Sequence, residues 1–197
     1  MIESVSIAFH AVNRTPIRMG DSVVVVGAGM IGQLVIQTLR QAGCGKLIAV
    51  DLDDRKLELA RGFGADEAIN AGSPDVQARV LELTHGRGTD LGFEVVGSSA
   101  AFQTAVASLR KGGTLSLIGN MSTKIEMPLQ KIVTGEITLT GACASAGEFP
   151  ASIELMARGK IDVRPFISAY TPLEEGPMWF ERLYRQEPGL LKVVLKP

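Results

Sequence analysis

The sequence predicts an α/β fold of the doubly wound kind: a six-stranded parallel sheet with helices on both faces and an incomplete C-terminal appendage. Three observations carry that expectation. Short apolar runs alternate with longer stretches at helical spacing along most of the 197 residues, the pattern of strands joined by crossover helices. One such run, Val23 to Val26, ends in a glycine-rich turn that opens a helix. An acidic residue closes the next run, as in the first βαβ unit of such sheets.

The elements follow in order. Ser22 to Val26 reads as a buried strand because it is β-branched and bounded by glycine. Ile31, Leu34, Val35, Leu39 and Ala42 recur at helical spacing, and Gly43 and Gly45 stop that helix. Lys46 to Val50 is a second strand, and Asp53 caps a helix running to about Arg61. Glu67 to Asn70 is a third strand, followed by a helix from Pro74 to Thr84 and a fourth strand from Leu91 to Val96. Ser99 to Leu109 is helical, and Lys111-Gly112-Gly113 turns into a fifth strand, Thr114 to Ile118. Leu129 to Val133 is a short helix, Ile137 to Gly141 a sixth strand and Phe149 to Arg158 a last helix. Beyond Lys160 the pattern changes. Asp162 to Thr171 looks extended, Pro172 to Arg185 looks helical with an interruption at Pro177, and Leu190 to Leu195 is a short apolar strand. A boundary near Gly159 therefore separates a sheet domain, 1–159, from a tail, 160–197.

Composition excludes several classes. Hydrophobic residues make up 46%, enough for a packed core. Twenty basic residues against 21 acidic ones leave a net charge of -1, which argues against nucleic acid or an acidic membrane as partner. No apolar stretch is long enough to span a bilayer, and Glu3 stands where a secretory leader is basic. Two cysteines, Cys44 and Cys143, do not make a disulfide framework, so cytoplasmic thiols are expected.

The turn after the first strand supplies Gly27, Gly29 and Gly32 as G-x-G-x-x-G. Between a strand and a helix, each of these glycines answers a separate steric need. Gly27 permits the tight turn, Gly29 the close approach of a diphosphate to the backbone, and Gly32 the packing of helix on strand. The amide groups at the helix start, around Met30 and Ile31, would then hold the diphosphate. Asp51 lies 19 residues beyond Gly32, where a carboxylate accepts hydrogen bonds from the adenosine ribose and repels a 2′-phosphate. NAD is thus the expected cofactor, with Leu52, Arg55 and Lys56 beside the adenosine. Two further strand ends should line the cleft: Val96 and Gly97, after Glu94-Val95, on the adenosine side, and Ile118 and Gly119, before Asn120, near the nicotinamide.

Several stretches resemble the medium-chain dehydrogenase/reductase family, in particular its zinc-dependent alcohol, sorbitol and threonine dehydrogenase branch. They are F-H-A-V (Phe9 to Val12) with M-G-D-S-V-V-V-V-G-A-G-M-I-G, then Asp51 to Asp66, L-R-K-G-G-T-L-S-L-I-G (Leu109 to Gly119) and Glu187 to Pro197. The resemblance covers essentially the whole chain. It implies hydride transfer between a secondary alcohol and NAD, with an alcohol or polyol as substrate and a catalytic zinc held in a GroES-like domain. No segment of these 197 residues matches that domain, so the tail 160–197 would return to it and the chain alone would be inactive. One piece of the zinc site has a counterpart: I-E-S-V-S-I-A-F-H-A-V is similar to a family segment with a glutamate at or beside the metal, which places Glu3 there. Glu3 alone cannot hold zinc. Cys44, Cys143, His10 and His85 show no metal-ligand spacing and read as structural. No Tyr-x-x-x-Lys pair supports a short-chain dehydrogenase mechanism. The resemblance also implies a homodimer formed through the strand Ile137 to Gly141. The rival reading is a stand-alone nucleotide-binding or interaction module without catalysis.

Overall fold

The structure, a computed structural model, describes residues 1–185 and 187–197. It divides into two compact units, Met1–Lys160 and Ile161–Pro197.

The larger unit opens with helix α1 (Ile2–Asn13) and alternates thereafter: β1 (Val23–Val26), α2 (Met30–Gln41), β2 (Leu47–Asp51), α3 (Asp54–Gly62), β3 (Glu67–Asn70), α4 (Val76–Leu83), β4 (Thr89–Glu94), α5 (Ser99–Ser108), β5 (Leu109–Leu117), α6 (Leu129–Gly135), β6 (Thr138–Gly141) and α7 (Phe149–Ala157). The six strands pair in parallel in the order β3-β2-β1-β4-β5-β6. Strand order therefore reverses at β1, whose neighbours are β2 and β4, and this is where open α/β sheets bind ligands. All four valines of β1 are buried because both faces of the sheet are covered. Val24, Val26, Ile48, Val50, Phe102, Val106 and Leu115 form one core layer. Val23 and Val25 point to the opposite face, where Leu34, Val35 and Leu39 of α2 are also fully buried. Caps match the sequence: Asp53 accepts the Arg55 N–H at 2.9 Å, and Ser98 Oγ accepts the Ala101 N–H at 3.3 Å.

Two expected boundaries are corrected. The fourth strand ends at Glu94 rather than Val96, because the Glu94 side chain turns back to accept the Val96 and Gly97 N–H groups, both at 2.8 Å, in place of further ladder bonds. The fifth strand begins at Leu109, and Lys111-Gly112-Gly113 is a bulge inside it rather than a turn before it. Register slips there: Thr89 faces Leu109, while Leu91 faces Thr114. Gly112 takes a left-handed φ of 71°, and Arg110 folds back to place Nε 2.6 Å from Asp90 Oδ1.

Asp90 ties the lower end of the sheet together. It also accepts from Arg87 at 2.5 Å and from the Ser22 hydroxyl and N–H at 2.7 and 2.9 Å. Burial alone would raise this carboxyl, but the bonds from Arg110 and Ser22 outweigh it and hold the group down at about 2. A depressed carboxylate contributes stability above its ordinary value near 3.8 and loses it as pH falls toward 2. Asp90→Asn is expected to remove about 1–2 kcal/mol at neutral pH, after allowance for solvent around the arginines, and to flatten the loss of stability between pH 5 and about 2.5. Urea midpoints across that range check this, and equal slopes for variant and unaltered protein would rule Asp90 out.

The smaller unit is a short βαβ arrangement. A 3-10 turn (Arg164–Phe166) leads into β7 (Ile167–Pro172), a second 3-10 turn (Leu173–Glu175), α8 (Gly176–Tyr184) and β8 (Lys192–Lys196), and β7 and β8 pair in parallel. The expected extended stretch from Asp162 thus contains a 3-10 turn. Pro177 starts α8 rather than interrupting it, since the first helical turn needs no N–H donor. No described helix is long and apolar enough to cross a membrane.

Candidate functional site

Residues from β1, α2 and β2 meet where the strand order reverses. Gly27 donates its N–H to the Val50 carbonyl at 2.8 Å and takes a φ of 100°, which turns the chain off the strand. A β-carbon on Gly32 would stand 1.9 Å from the Gly27 carbonyl oxygen, so α2 approaches the turn more closely than any side chain permits. Gly29 differs. It has an ordinary φ of -68°, and a β-carbon there meets no protein atom within 4 Å. The space before Gly29 is open, and α2 begins there without a side-chain cap. Its first-turn amides, around half-buried Met30 and Ile31, have no acceptor within the helix and face that space with the positive end of the dipole.

Asp51 closes β2 beside this turn. Its Oδ2 accepts the Ala28 N–H at 2.7 Å and its Oδ1 the Asp53 N–H at 3.0 Å. The carboxylate is therefore fixed by the glycine turn itself, and each oxygen keeps a lone pair for a further donor. Lys56 Nζ lies 3.8 Å from Oδ1. Arg55 turns to Asp53, with Nε and Nη2 at 3.2 and 3.1 Å from its two oxygens. Leu52 is exposed beside Asp51.

On the other side of β1, the loops after β4 and β5 touch through their backbones. The Glu94 carbonyl accepts the N–H groups of Ile118 and Gly119 at 2.9 and 3.1 Å. A β-carbon on Gly97 would lie 2.4 Å from the Asn120 nitrogen, and one on Gly119 would lie 2.1 Å from the Gly97 nitrogen. Val96 packs against Gly27, where a β-carbon would come within 2.7 Å of its Cγ2.

Ile31, Ile118, Gly119 and Asn120 border a cavity of about 590 Å³ that also takes in Ile7 and His10 of α1, Arg14 at its C-terminal end, and the chain just after β6, Cys143 and Ala144. Sequence reasoning sets His10 and Cys143 aside as structural and passes over Ile7 and Arg14. Nothing local marks His10 or Arg14, since their partners lie more than a hundred residues away. Glu3 is exposed, and its carboxylate meets the Ser4 hydroxyl at 3.3 Å. Among the described residues no three His, Cys, Asp or Glu side chains converge on a point where a metal would sit.

A family model described as zinc-binding dehydrogenase matches residues 31–158. A sorbitol dehydrogenase of Bacillus subtilis (strain 168) is 32% identical over 100% of this chain and 56% of its own length. Among solved structures, the alcohol dehydrogenase TADH from Thermus sp. ATN1 superposes with a TM-score of 0.89 at 32% identity, over 99% of this chain and 56% of that one. A protein of Sinorhizobium meliloti 1021, solved bound to NADP, superposes with a TM-score of 0.87 at 25% identity, over 100% and 58% of the two chains. The chain spans about half the length of the curated relatives it matches.

Proposed function

This chain belongs to the zinc-binding dehydrogenase family, and from that membership we propose that it is the NAD-binding domain of an alcohol or polyol dehydrogenase. One observation carries the reading: the Asp51 carboxylate, held by the Ala28 N–H, stands next to the open approach over Gly29 and the uncapped start of α2. A diphosphate satisfies those amides, and two neighbouring ribose hydroxyls satisfy the free lone pairs of Asp51. A 2′-phosphate would meet that carboxylate instead, and the guanidinium of Arg55, a natural counter-charge for it, is already paired with Asp53. The same fold accepts NADP in the Sinorhizobium protein, so the preference rests on residue 51 rather than on the architecture. The nicotinamide half then falls in the cavity beside Ile31, Ile118 and Gly119. Bound NAD would supply the hydride acceptor for the substrate carbon; the chain's own residues would bind and orient it.

The zinc expected for the family does not fit the described residues, because no three His, Cys, Asp or Glu side chains among them, Glu3 included, form a group that could hold a metal. The metal and most substrate contacts belong to a GroES-like domain, to which the segment 160–197 returns. Exposed Leu173, Phe180 and Tyr184 of the smaller unit support that docking. Among the described residues, strand β6 ends the sheet with an unpaired edge, which supports a two-fold dimer through Ile137 to Gly141. The free thiols Cys44 and Cys143 support a reducing, cytoplasmic setting.

The test is a calorimetric titration of the whole chain with NADH and NADPH, with the same sample sedimented at micromolar concentration and assayed with sorbitol, threonine and simple alcohols. NADH should bind at least about tenfold more tightly than NADPH, on a dimer, with no turnover. Equal binding of the two, a monomer, or steady reduction of NAD would each strike out the corresponding part.

A further inference from the structure

His10 of α1 and Arg14, the residue that caps its C-terminus, lie one helical turn apart and so on one face, and they hold the connection between β6 and α7. Arg14 Nε donates to the carbonyl of Gly141, where that connection starts, at 2.9 Å. His10 Nδ1 lies 2.8 Å from Oε1 of Glu148, where it ends, and the two side chains are only 13% and 10% exposed. Glu148 is fixed from its other side too. Its second carboxylate oxygen accepts the Ala146 N–H at 2.6 Å, and its carbonyl accepts the N–H and hydroxyl of Ser152, both at 2.9 Å. Burial alone would raise the Glu148 carboxyl, but the bonds from His10 and Ala146 hold it below the usual carboxylate value.

The held segment has an unfavourable backbone. Ala144 takes a left-handed φ of 54°, and Gly147 one of 105°. A non-glycine residue in that region is strained and persists only where its surroundings fix it. Cys143 and Ala144 nevertheless form a wall of the cavity of about 590 Å³, along with His10 and Arg14 themselves. Asp51, by contrast, ends β2, on the far side of β1 from β5 and β6.

We infer that His10 and Glu148 are positioning residues for the nicotinamide half of the cofactor: the pair fixes the wall at Cys143 and Ala144 and leaves the adenosine half untouched. This rests on the cofactor reading above. The probes are NADH and ADP-ribose, which share everything except the nicotinamide ring. The whole chain, His10→Ala, Glu148→Ala and the double variant are titrated with both. Each single change should weaken NADH roughly three- to tenfold, the range of one lost charge-assisted bond acting at one remove, and move ADP-ribose by less than about twofold. The double variant should bind no more weakly than the more impaired single variant, since both changes break one pair. Glu148→Gln keeps an acceptor for Ala146 and should show a smaller loss in the same direction, which covers the case of a variant that does not fold. Parallel loss of ADP-ribose and NADH, an unchanged NADH affinity, or losses that add would overturn the positioning role. Failure of the unaltered chain to bind ADP-ribose would overturn the cofactor reading and this inference with it.

Discussion

Gly32→Ala is expected to abolish NADH binding and to destabilise the larger unit by about 3 kcal/mol or more. The new β-carbon would stand 1.9 Å from the Gly27 carbonyl oxygen and 2.9 Å from its carbon, and both are backbone atoms. Gly27 is held in place, since its N–H is bonded to the Val50 carbonyl and Val96 Cγ2 fills the space that its own β-carbon would take. Helix α2 would have to lift by roughly 1.5 Å to restore van der Waals contact, away from a layer in which Leu34, Val35 and Leu39 are fully buried. Gly29→Ala is the control. A β-carbon there meets no protein atom within 4 Å at an ordinary φ of -68°, so stability should change by less than about 1 kcal/mol while NADH binding still falls. Denaturant midpoints and NADH titrations on the two variants make the comparison. A Gly32→Ala protein as stable as the parent would contradict the close approach of helix and turn.

The second large effect is expected at Asp51. Asp51→Ser should weaken NADH by roughly tenfold to a hundredfold, the worth of hydrogen bonds from sugar hydroxyls to a charged acceptor. NADPH should gain on NADH, because the charge that opposes its phosphate is gone. Stability should also fall by about 1 kcal/mol, since the Ala28 and Asp53 N–H groups lose their carboxylate acceptor. Titration with both dinucleotides beside a melting curve separates the two effects. An unchanged NADH-to-NADPH ratio would remove Asp51 from the ribose.

The contrast between legible and illegible features follows sequence separation. The sheet and its reversal at β1 can be read because each strand and helix announces itself within a dozen residues, and because Gly27, Gly29 and Gly32 sit in one turn. Asp51 is legible as a spacing, though not as the acceptor that fixes Ala28. The bulge at Lys111-Gly112-Gly113 resembles a turn in the sequence because its cause, Asp90 drawing Arg110 back, lies 20 residues upstream. Pro177 resembles a break because only the structure shows that the helix starts beside it. His10 and Arg14 are out of reach altogether, since their partners are 138 and 127 residues away and neither residue type announces its bond.

The backbone contact between Gly97 and Gly119 has a consequence for how this crevice can change over evolutionary time. With amide groups of the two loops lying where β-carbons would go, neither Gly97 nor Gly119 can be enlarged or charged without parting the two loops. Diversification of what the crevice admits is then left to the side chains around these two glycines, such as Ile7, Asn120 and Cys143 of the adjoining cavity.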